Sequence, residues 1–565
     1  MTPSLPLIRR RSPDIVAWAL LALGVLAWAA YAHSEVSLLH YDARAHLVVA
    51  RRVLDSRTPG LKQFGTHWLP LPHLLTFVPL SSDFLYRTGL ASSLLSLFSW
   101  WGFLLCLRRL LRELRLPSGP PLALAALHPG LLYLAGTPMT EPLFFFLLTA
   151  SALHLRRAAA GEGSPSEAAR AGLWIGLGCL TRYEAWGAAA AGTLMLLLSR
   201  GDAPAREGNE AGPRPPVGRW RRTALFAIGP ASAIAAFLLY SFWSTGTAAF
   251  LAGVDPHRFP LPASPARALV LTLLGLLLQF GWLGVTALGT GLGSLFAKPR
   301  HGLSAVAALT LAPLLWVAGS LAFGLGFRPR YLLGALPLLA IGWAATAARL
   351  PTRARAVITA LLVVQGFVPL FPIPDALDAA ARWVPGFGGS RAEHLARRLQ
   401  RSCPSRLPAP RLRSLVFPWS DHAVLWEACA TSLGSEVDRR VARVLLLHDD
   451  GRAILAPMAE LAGWMHATGL PLERFIHEGN WPEYQQSLRA PGAHAGWIAL
   501  RLGSELEQEL SPRLERGGEF VRIVRAVDPS GYGLVLYWRS TTWQQATLGT
   551  PGSAPPPRTV SIPEL

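Results

Sequence analysis

Lysine is almost missing from this 565-residue chain, and charge of either sign is scarce. Lys62 and Lys298 are the only lysines, and Asp, Glu, Lys and Arg together make up 15% of residues. Soluble domains carry about 25% charged residues, so a wholly water-soluble chain is excluded. Cysteine is scarce as well: Cys106, Cys179, Cys403 and Cys429 show no metal-type spacing. The first two lie in apolar runs and read as packing residues. The other two share a more polar C-terminal stretch and could pair in an oxidising compartment. What the chain has is apolar surface: 51% of residues are hydrophobic, with a mean hydropathy of +0.32. These residues gather in runs near the roughly 20 that span a bilayer.

The net charge of +19 is almost all arginine. The arginines cluster in short loops between apolar runs, as the positive-inside rule expects. That reading is preferred to nucleic-acid binding, which the same charge would otherwise suggest. Arg9-Arg10-Arg11 precedes an apolar run over about 15–32 with no clear cleavage site, which reads as an uncleaved signal anchor with its N-terminus in the cytoplasm. Further spans are expected near 86–107, 121–136, 142–155, 223–243, 266–296, 303–326, 331–348 and 356–371. Two short apolar pieces, 171–180 and 186–199, flank Thr181-Arg182-Tyr183-Glu184 and read as a broken hairpin. Polar backbone at membrane depth is tolerated where it lines a cavity.

If both short pieces cross, there are about eleven spans. The expected architecture is then mainly α: a polytopic membrane domain over 1–372, with an outer loop at 35–85. An extracytoplasmic soluble α/β domain follows over 373–545, and a Pro-, Ser- and Thr-rich disordered tail over 546–565. Within the soluble domain, 441–447 reads as a buried strand, 453–468 as a helix and 497–502 as a strand. Residues 519–526 and 532–539 read as a hairpin. His448-Asp449-Asp450 reads as a strand-ending turn.

The outer loop opens with His40-Tyr41-Asp42-Ala43-Arg44-Ala45-His46 and continues through Trp68-Leu69-Pro70-Leu71-Pro72-His73. Residues 43–54 suit an amphipathic helix lying in the membrane interface, with Asp42 and His46 one turn apart on one face. Asp42 either caps this helix or does chemistry. Arg51 and Arg52 either snorkel to headgroups or meet a phosphate.

The ionisable groups expected at the outer ends of the spans are Asp42, His46, Glu141, Arg182, Glu184, Arg328 and Arg330. Burying such groups is costly, which makes them functional candidates. Each has a plainer reading: Glu141 as a first-turn acid, Arg182 and Glu184 as a structural brace, Arg330 as a span-end anchor. Asp255 and His257 read as turn residues. Taken together the set suits one reaction. A carboxylate takes the proton from an acceptor hydroxyl that attacks a sugar, while arginines hold a departing lipid phosphate.

Several motifs resemble those of the GT-C superfamily of polyprenyl-phosphate-sugar-dependent glycosyltransferases. The likeness is to the bacterial family-39 type, which includes protein mannosyltransferase-like and aminoarabinose-transferase-like enzymes. Tyr41-Asp42-Ala43-Arg44-Ala45-His46 is similar to the acidic loop after span one, and Gly65–His73 to its continuation. Met139-Thr140-Glu141-Pro142 opens a span as in many members. Cys179–Trp186 is similar to the Leu-Thr-Arg/Lys motif, and Arg330-Tyr331-Leu332-Leu333 to the Arg-Tyr element. The resemblance covers about residues 1–372. It implies a membrane glycosyltransferase of the hexosyl or pentosyl class, acting with inversion on the extracytoplasmic side of the cell membrane. It implies a polyprenyl-phosphate-linked sugar donor and a protein, lipid or glycan acceptor, with the bilayer as the other partner. Asp42 would be the base, with His46, Arg52, Glu141, Arg182, Tyr183, Glu184, Arg330 and Tyr331 around the substrates. Many members carry a second acid where this chain has Ala43. Asp42 and His46 could still bind a divalent cation, but two ligands do not define a metal site.

Two other classes compete. A transporter or flippase for a lipid-linked glycan would also use broken helices, although the chain shows no internal repeat. An anchoring protein working through its tail would leave the loop carboxylates and arginines without a role. Convergence of Asp42, Arg182 and Arg330 on one place separates these readings.

Overall fold

The computed structural model describes residues 14–33, 36–160, 164–199, 218–246, 265–293, 303–322, 328–367, 424–425, 427–428, 433–527 and 532–540. In chain order its principal helices begin with α1 (Ile15–His33), α2 (Tyr41–Arg51), α3 (Leu90–Glu113) and α4 (Glu141–Ala159). They continue with α5 (Ser166–Cys179), α6 (Glu184–Leu198), α7 (Arg219–Thr245) and α8 (Pro265–Gly293). The membrane part ends with α9 (Leu303–Ala322), α10 (Leu336–Ala347) and α11 (Thr352–Phe367). Six described segments are long and apolar enough to cross a membrane: α1, α3, α7, Ala268–Thr290 of α8, α9, and Pro329–Ala347, which ends in α10. The helical form follows from the solvent, because a spanning segment must satisfy its backbone polar groups internally.

The other expected spans fall on shorter or broken helices. The 121–136 span is two pieces, Gly119–Ala126 and Pro129–Ala135, parted at His128 by a proline that lacks the amide a continuous helix needs. The expected broken hairpin is present, with α5 and α6 separated by residues 180–183. The span expected to start at 86 instead starts at Leu90, after Gly89 in a left-handed conformation, and stays helical through its basic end. Close approach of α5 to α7 depends on glycine. A Cβ on Gly172 would lie 2.2 Å from the Phe226 carbonyl oxygen, and one on Gly229 would lie 2.3 Å from that of Gly172. Gly172 and Gly176 have the four-residue spacing that lets two membrane helices touch backbone to backbone.

The C-terminal part carries α12 (Leu433–His448), α13 (Met458–Thr468) and α14 (Glu505–Gly517) around a five-stranded sheet. Its strands are β1 (Ile454–Leu455), β2 (Phe475–Ile476), β3 (Trp497–Arg501), β4 (Phe520–Val527) and β5 (Gly533–Arg539), in the order β2-β1-β3-β5-β4. The β1–β2 and β1–β3 pairs are parallel, and β3–β5 and β4–β5 are antiparallel. The soluble α/β character and the 520–539 hairpin thus agree with the sequence. Two local expectations do not. Residues 441–447 belong to α12, because Val437, Val441, Ala442 and Leu445 are buried at helical spacing while Leu446 and Leu447 are exposed. Residues 454–455 are strand and the helix starts only at Met458, after Pro457. Cys403, Cys429, Asp255, His257 and the 546–565 tail lie outside the described residues.

Side-chain alternation splits the sheet into two faces. Leu455, Ile476, Ile498, Leu500, Val535 and Tyr537 pack against Leu510 and Leu514 of α14. Ile454, Phe475, Trp497, Ala499, Leu534 and Leu536 form the other face. That second core includes Val441 and Leu445 of α12, Trp464 of α13, and Ala45, Leu47, Val48 and Ala50 of α2. The soluble domain and the loop after the first span therefore share one hydrophobic core.

This corrects the picture of α2 as an interfacial helix, for eight of its eleven residues are buried. Arg44 pairs with Asp438 of α12 at 3.1 Å, and the Tyr532 hydroxyl donates to the same carboxylate at 2.9 Å. The Tyr41 hydroxyl donates to the Ala459 carbonyl at 3.2 Å. Arg51 does not snorkel; it is buried and reaches Asp55 at 2.6 Å and Asp83 at 2.5 Å. Trp464→Ala in this shared core should cost about 3–5 kcal/mol. Thermal unfolding of the detergent-solubilised protein checks it, and a shift in midpoint below about 2 °C would contradict a core common to loop and tail.

Candidate active site

Four separate stretches meet at one end of the helix bundle. Asp42 is in the first turn of α2, Glu141 opens α4, Arg182 and Glu184 lie at the break between α5 and α6, and Arg330 lies in the 3-10 turn Pro329–Ala335. Backbone contacts hold the stretches together. The Leu71 amide donates to the Leu180 carbonyl at 2.9 Å, joining the loop to the helix break. The Tyr133 hydroxyl donates to the Val36 carbonyl at 3.1 Å, and the Ser96 hydroxyl to the Met139 carbonyl at 2.9 Å.

Arg330 is the hub. Its Nη2 pairs directly with Asp42. Its Nε is 3.2 Å from Glu427 and 3.6 Å from Glu141. Among the described residues its remaining nitrogen, Nη1, hydrogen-bonds only to the Met139 sulfur, at 3.8 Å. Arg182 is a second hub: Nη1 donates to Glu141 at 2.8 Å and to the Thr140 hydroxyl at 3.1 Å, and Nη2 to Glu184 at 2.7 Å. Both guanidinium carbons lie over the Tyr331 ring, 5.3 Å from its centroid for Arg182 and 5.2 Å for Arg330. Such placement adds cation–π attraction.

Two guanidiniums thus serve four carboxylates, which leaves the cluster short of positive charge. Arg328 is the nearby reserve: it is partly buried and makes no ion pair among the described residues. Asp42 is the accessible carboxylate, with 25% of its side chain exposed against 12% for Glu184 and 3% each for Glu141 and Glu427. Burial pushes the Asp42 carboxyl up, but Arg330 and Arg328 outweigh it and hold Asp42 well below the usual carboxylate range. Asp42 is therefore ionised at any ordinary pH.

The structure also decides what caps α2. The cap is His40, whose Nδ1 accepts the Asp42 amide at 3.0 Å, and not Asp42 itself. The Asp42 carboxylate is thereby left for Arg330. His46 lies one turn on, its ring tilted by 38° against Trp68 at 4.2 Å between centroids, with Nδ1 2.9 Å from Nε2 of His73. Burial lowers His46 to about 4, so the imidazole is neutral. Its partner His73 is held low by burial, with His46 and Arg52 adding to the effect.

Two expected site residues stand apart from the cluster. Tyr183 packs edge-on against Trp186 and Phe237, at 5.5 and 6.3 Å between ring centroids. Arg52 is buried beneath Met458, whose sulfur is 2.7 Å from Nη1, and burial lowers it to about 10. Glu427 was not picked out from the sequence, and His40 and His73 lay in the outer-loop stretches without a role of their own. For Glu427 the available signal was a lone acid in the apolar run Val424–Ala428. Among the described residues, no group of three or more His, Cys, Asp or Glu side chains is gathered as a metal ion would require. Removing Arg330 leaves three carboxylates facing one another, so Arg330→Met should destabilise the protein by about 3–5 kcal/mol. Adding Asp42→Asn should recover part of that loss in thermal unfolding, and strictly additive losses would contradict the pairing.

No protein-family model matches the chain, and no curated protein sequence matches it. Two crystal structures of ArnT from Cupriavidus metallidurans share its fold. The form bound to undecaprenyl phosphate aligns with a TM-score of 0.54 at 12% identity, covering 93% of this chain and 98% of that one. The apo form aligns with a TM-score of 0.53 at 14% identity, covering 92% and 98%. These alignments run over more than nine-tenths of the chain, so it shares the fold of these structures.

Proposed function

We propose that the protein is an integral membrane glycosyltransferase. It moves a sugar from a polyprenyl-phosphate donor to an acceptor hydroxyl on the extracytoplasmic side, with inversion at the anomeric carbon. The observation that carries this reading is the Asp42–Arg330 pair: an accessible carboxylate tied to a guanidinium that keeps one nitrogen nearly unused. The shared fold with a protein bound to undecaprenyl phosphate supports a lipid-phosphate donor. Convergence of Asp42, Arg182 and Arg330 favours the enzyme over a flippase.

The chemistry follows from the charges. The acceptor oxygen forms a bond to the anomeric carbon as the bond from that carbon to the phosphate oxygen breaks, its electron pair leaving with the phosphate. The hydroxyl proton passes to Asp42. A carboxylate held well below its usual range is a weak base on its own. A phosphate arriving at Nη1 of Arg330 and at Arg328 competes with Asp42 for Arg330 and so raises the basicity of Asp42. Phosphate binding and base strength are thus coupled through one guanidinium. Arg182 and Tyr331 keep Arg330 in place. Neutral His46 and Trp68 offer an aromatic wall for a sugar ring.

The test is transfer of labelled sugar from a panel of undecaprenyl-phosphate donors by purified protein, with products read by mass spectrometry. Asp42→Asn should lose about 100-fold or more in turnover while still binding undecaprenyl phosphate. Near-full activity in that variant would remove Asp42 as the base. For the wild type, kcat/KM reports free-enzyme groups. With Asp42 held low and His46 at about 4, it should stay flat from about pH 5 to 8. An acid limb inside that window would contradict the assignment.

A further inference from the structure

Glu427 has no place in the transfer chemistry, yet it touches Arg330 directly and, through His40, the turn that carries Asp42. It belongs to the chain beyond the last described membrane helix, and its neighbours Val424, Leu425 and Ala428 are buried in the membrane-domain core. One oxygen, Oε2, accepts the Arg330 amide at 3.1 Å. The other, Oε1, lies 3.2 Å from Nε of Arg330 and 3.4 Å from Nε2 of His40. The side chain is 3% exposed, too enclosed to meet an acceptor.

His40 makes this arrangement informative. Its Nδ1 accepts the Asp42 amide, so Nδ1 carries no proton and a neutral ring has its proton on Nε2. Nε2–H then donates to Glu427. A carboxylate on that side fixes the tautomer that can cap α2, as outer-shell acceptors do for histidines elsewhere. Through His40 the residue sets the first turn of α2, where Asp42 stands. Through the Arg330 amide it sets the backbone that aims the guanidinium. We propose that Glu427 is a positioning residue, by which the chain beyond the membrane domain holds base and phosphate-binding arginine in register. The activity readout of this inference rests on the transferase reading; the exchange readout below does not.

Glu427→Gln is the discriminating variant because it keeps size and shape. Its amide oxygen still accepts the Arg330 amide, but its NH2 faces Nε2 of His40 and favours the opposite tautomer, which cannot cap Asp42. Full-length protein in nanodiscs should show faster deuterium uptake in the 38–46 peptide for Glu427→Gln and equally for His40→Ala. In the transfer assay Glu427→Gln should lower kcat about 10–100-fold with donor KM within about threefold. The double variant should be no worse than the worse single one. Unchanged exchange, or losses that multiply in the double variant, would overturn the proposal. Faster exchange in both variants, with a wild-type protein that transfers no sugar from any donor, would instead overturn the transferase reading and leave the positioning role standing.

Discussion

The site depends on a shortage of positive charge in a place where charge is expensive to bury. Arg182 and Arg330 answer four carboxylates, Asp42, Glu141, Glu184 and Glu427. Removing one member of a buried pair costs several kcal/mol because its partner stays behind unpaired. The cluster therefore persists only as a set, and its members come from five separate stretches of chain. Each hydrogen bond that brings those stretches together serves this balance. An anionic ligand has to take a guanidinium from a carboxylate or recruit Arg328. That requirement links binding of a phosphate to the state of Asp42 and gives the cluster a direction of response.

The C-terminal domain is part of this machinery and not an appendage to it. It buries α2 in its own core, anchors Arg44 on Asp438, and covers Arg52 with Met458. A first-span loop in water would be free to fray, and the Asp42 carboxylate at its helix start would move with it. Here the helix is gripped from the tail side while Arg330 grips Asp42 from the membrane side.

Much of this was legible in the sequence, for a physical reason. A charge next to an apolar run is conspicuous, so Asp42, Glu141, Arg182, Glu184 and Arg330 stood out, and the structure brings all five together. Glu427 was hidden because its partners are remote: the Arg330 amide is 97 residues away and His40 is 387. Its one local signal, a lone acid in a five-residue apolar run, names neither partner. The Val441–Leu447 stretch misled because a short run of branched apolar residues fits a strand or a helix equally well; only the burial pattern over the whole of α12 decides. Arg51 and Arg52 suggested headgroups because the loop was read without the domain that covers it. Tyr183 was grouped with Arg182 by adjacency, yet the turn into α6 sends the ring toward Trp186 and Phe237.

The central claim is that a lipid phosphate is received by Arg330 at the expense of its bond to Asp42. A cryo-electron microscopy structure in nanodiscs with undecaprenyl phosphate measures this directly. The account predicts phosphate oxygens within hydrogen-bond distance of Arg330 and Arg328, with Asp42 separated from Arg330 and facing open space for an acceptor. A phosphate bound elsewhere, with the Asp42–Arg330 pair intact, would contradict it.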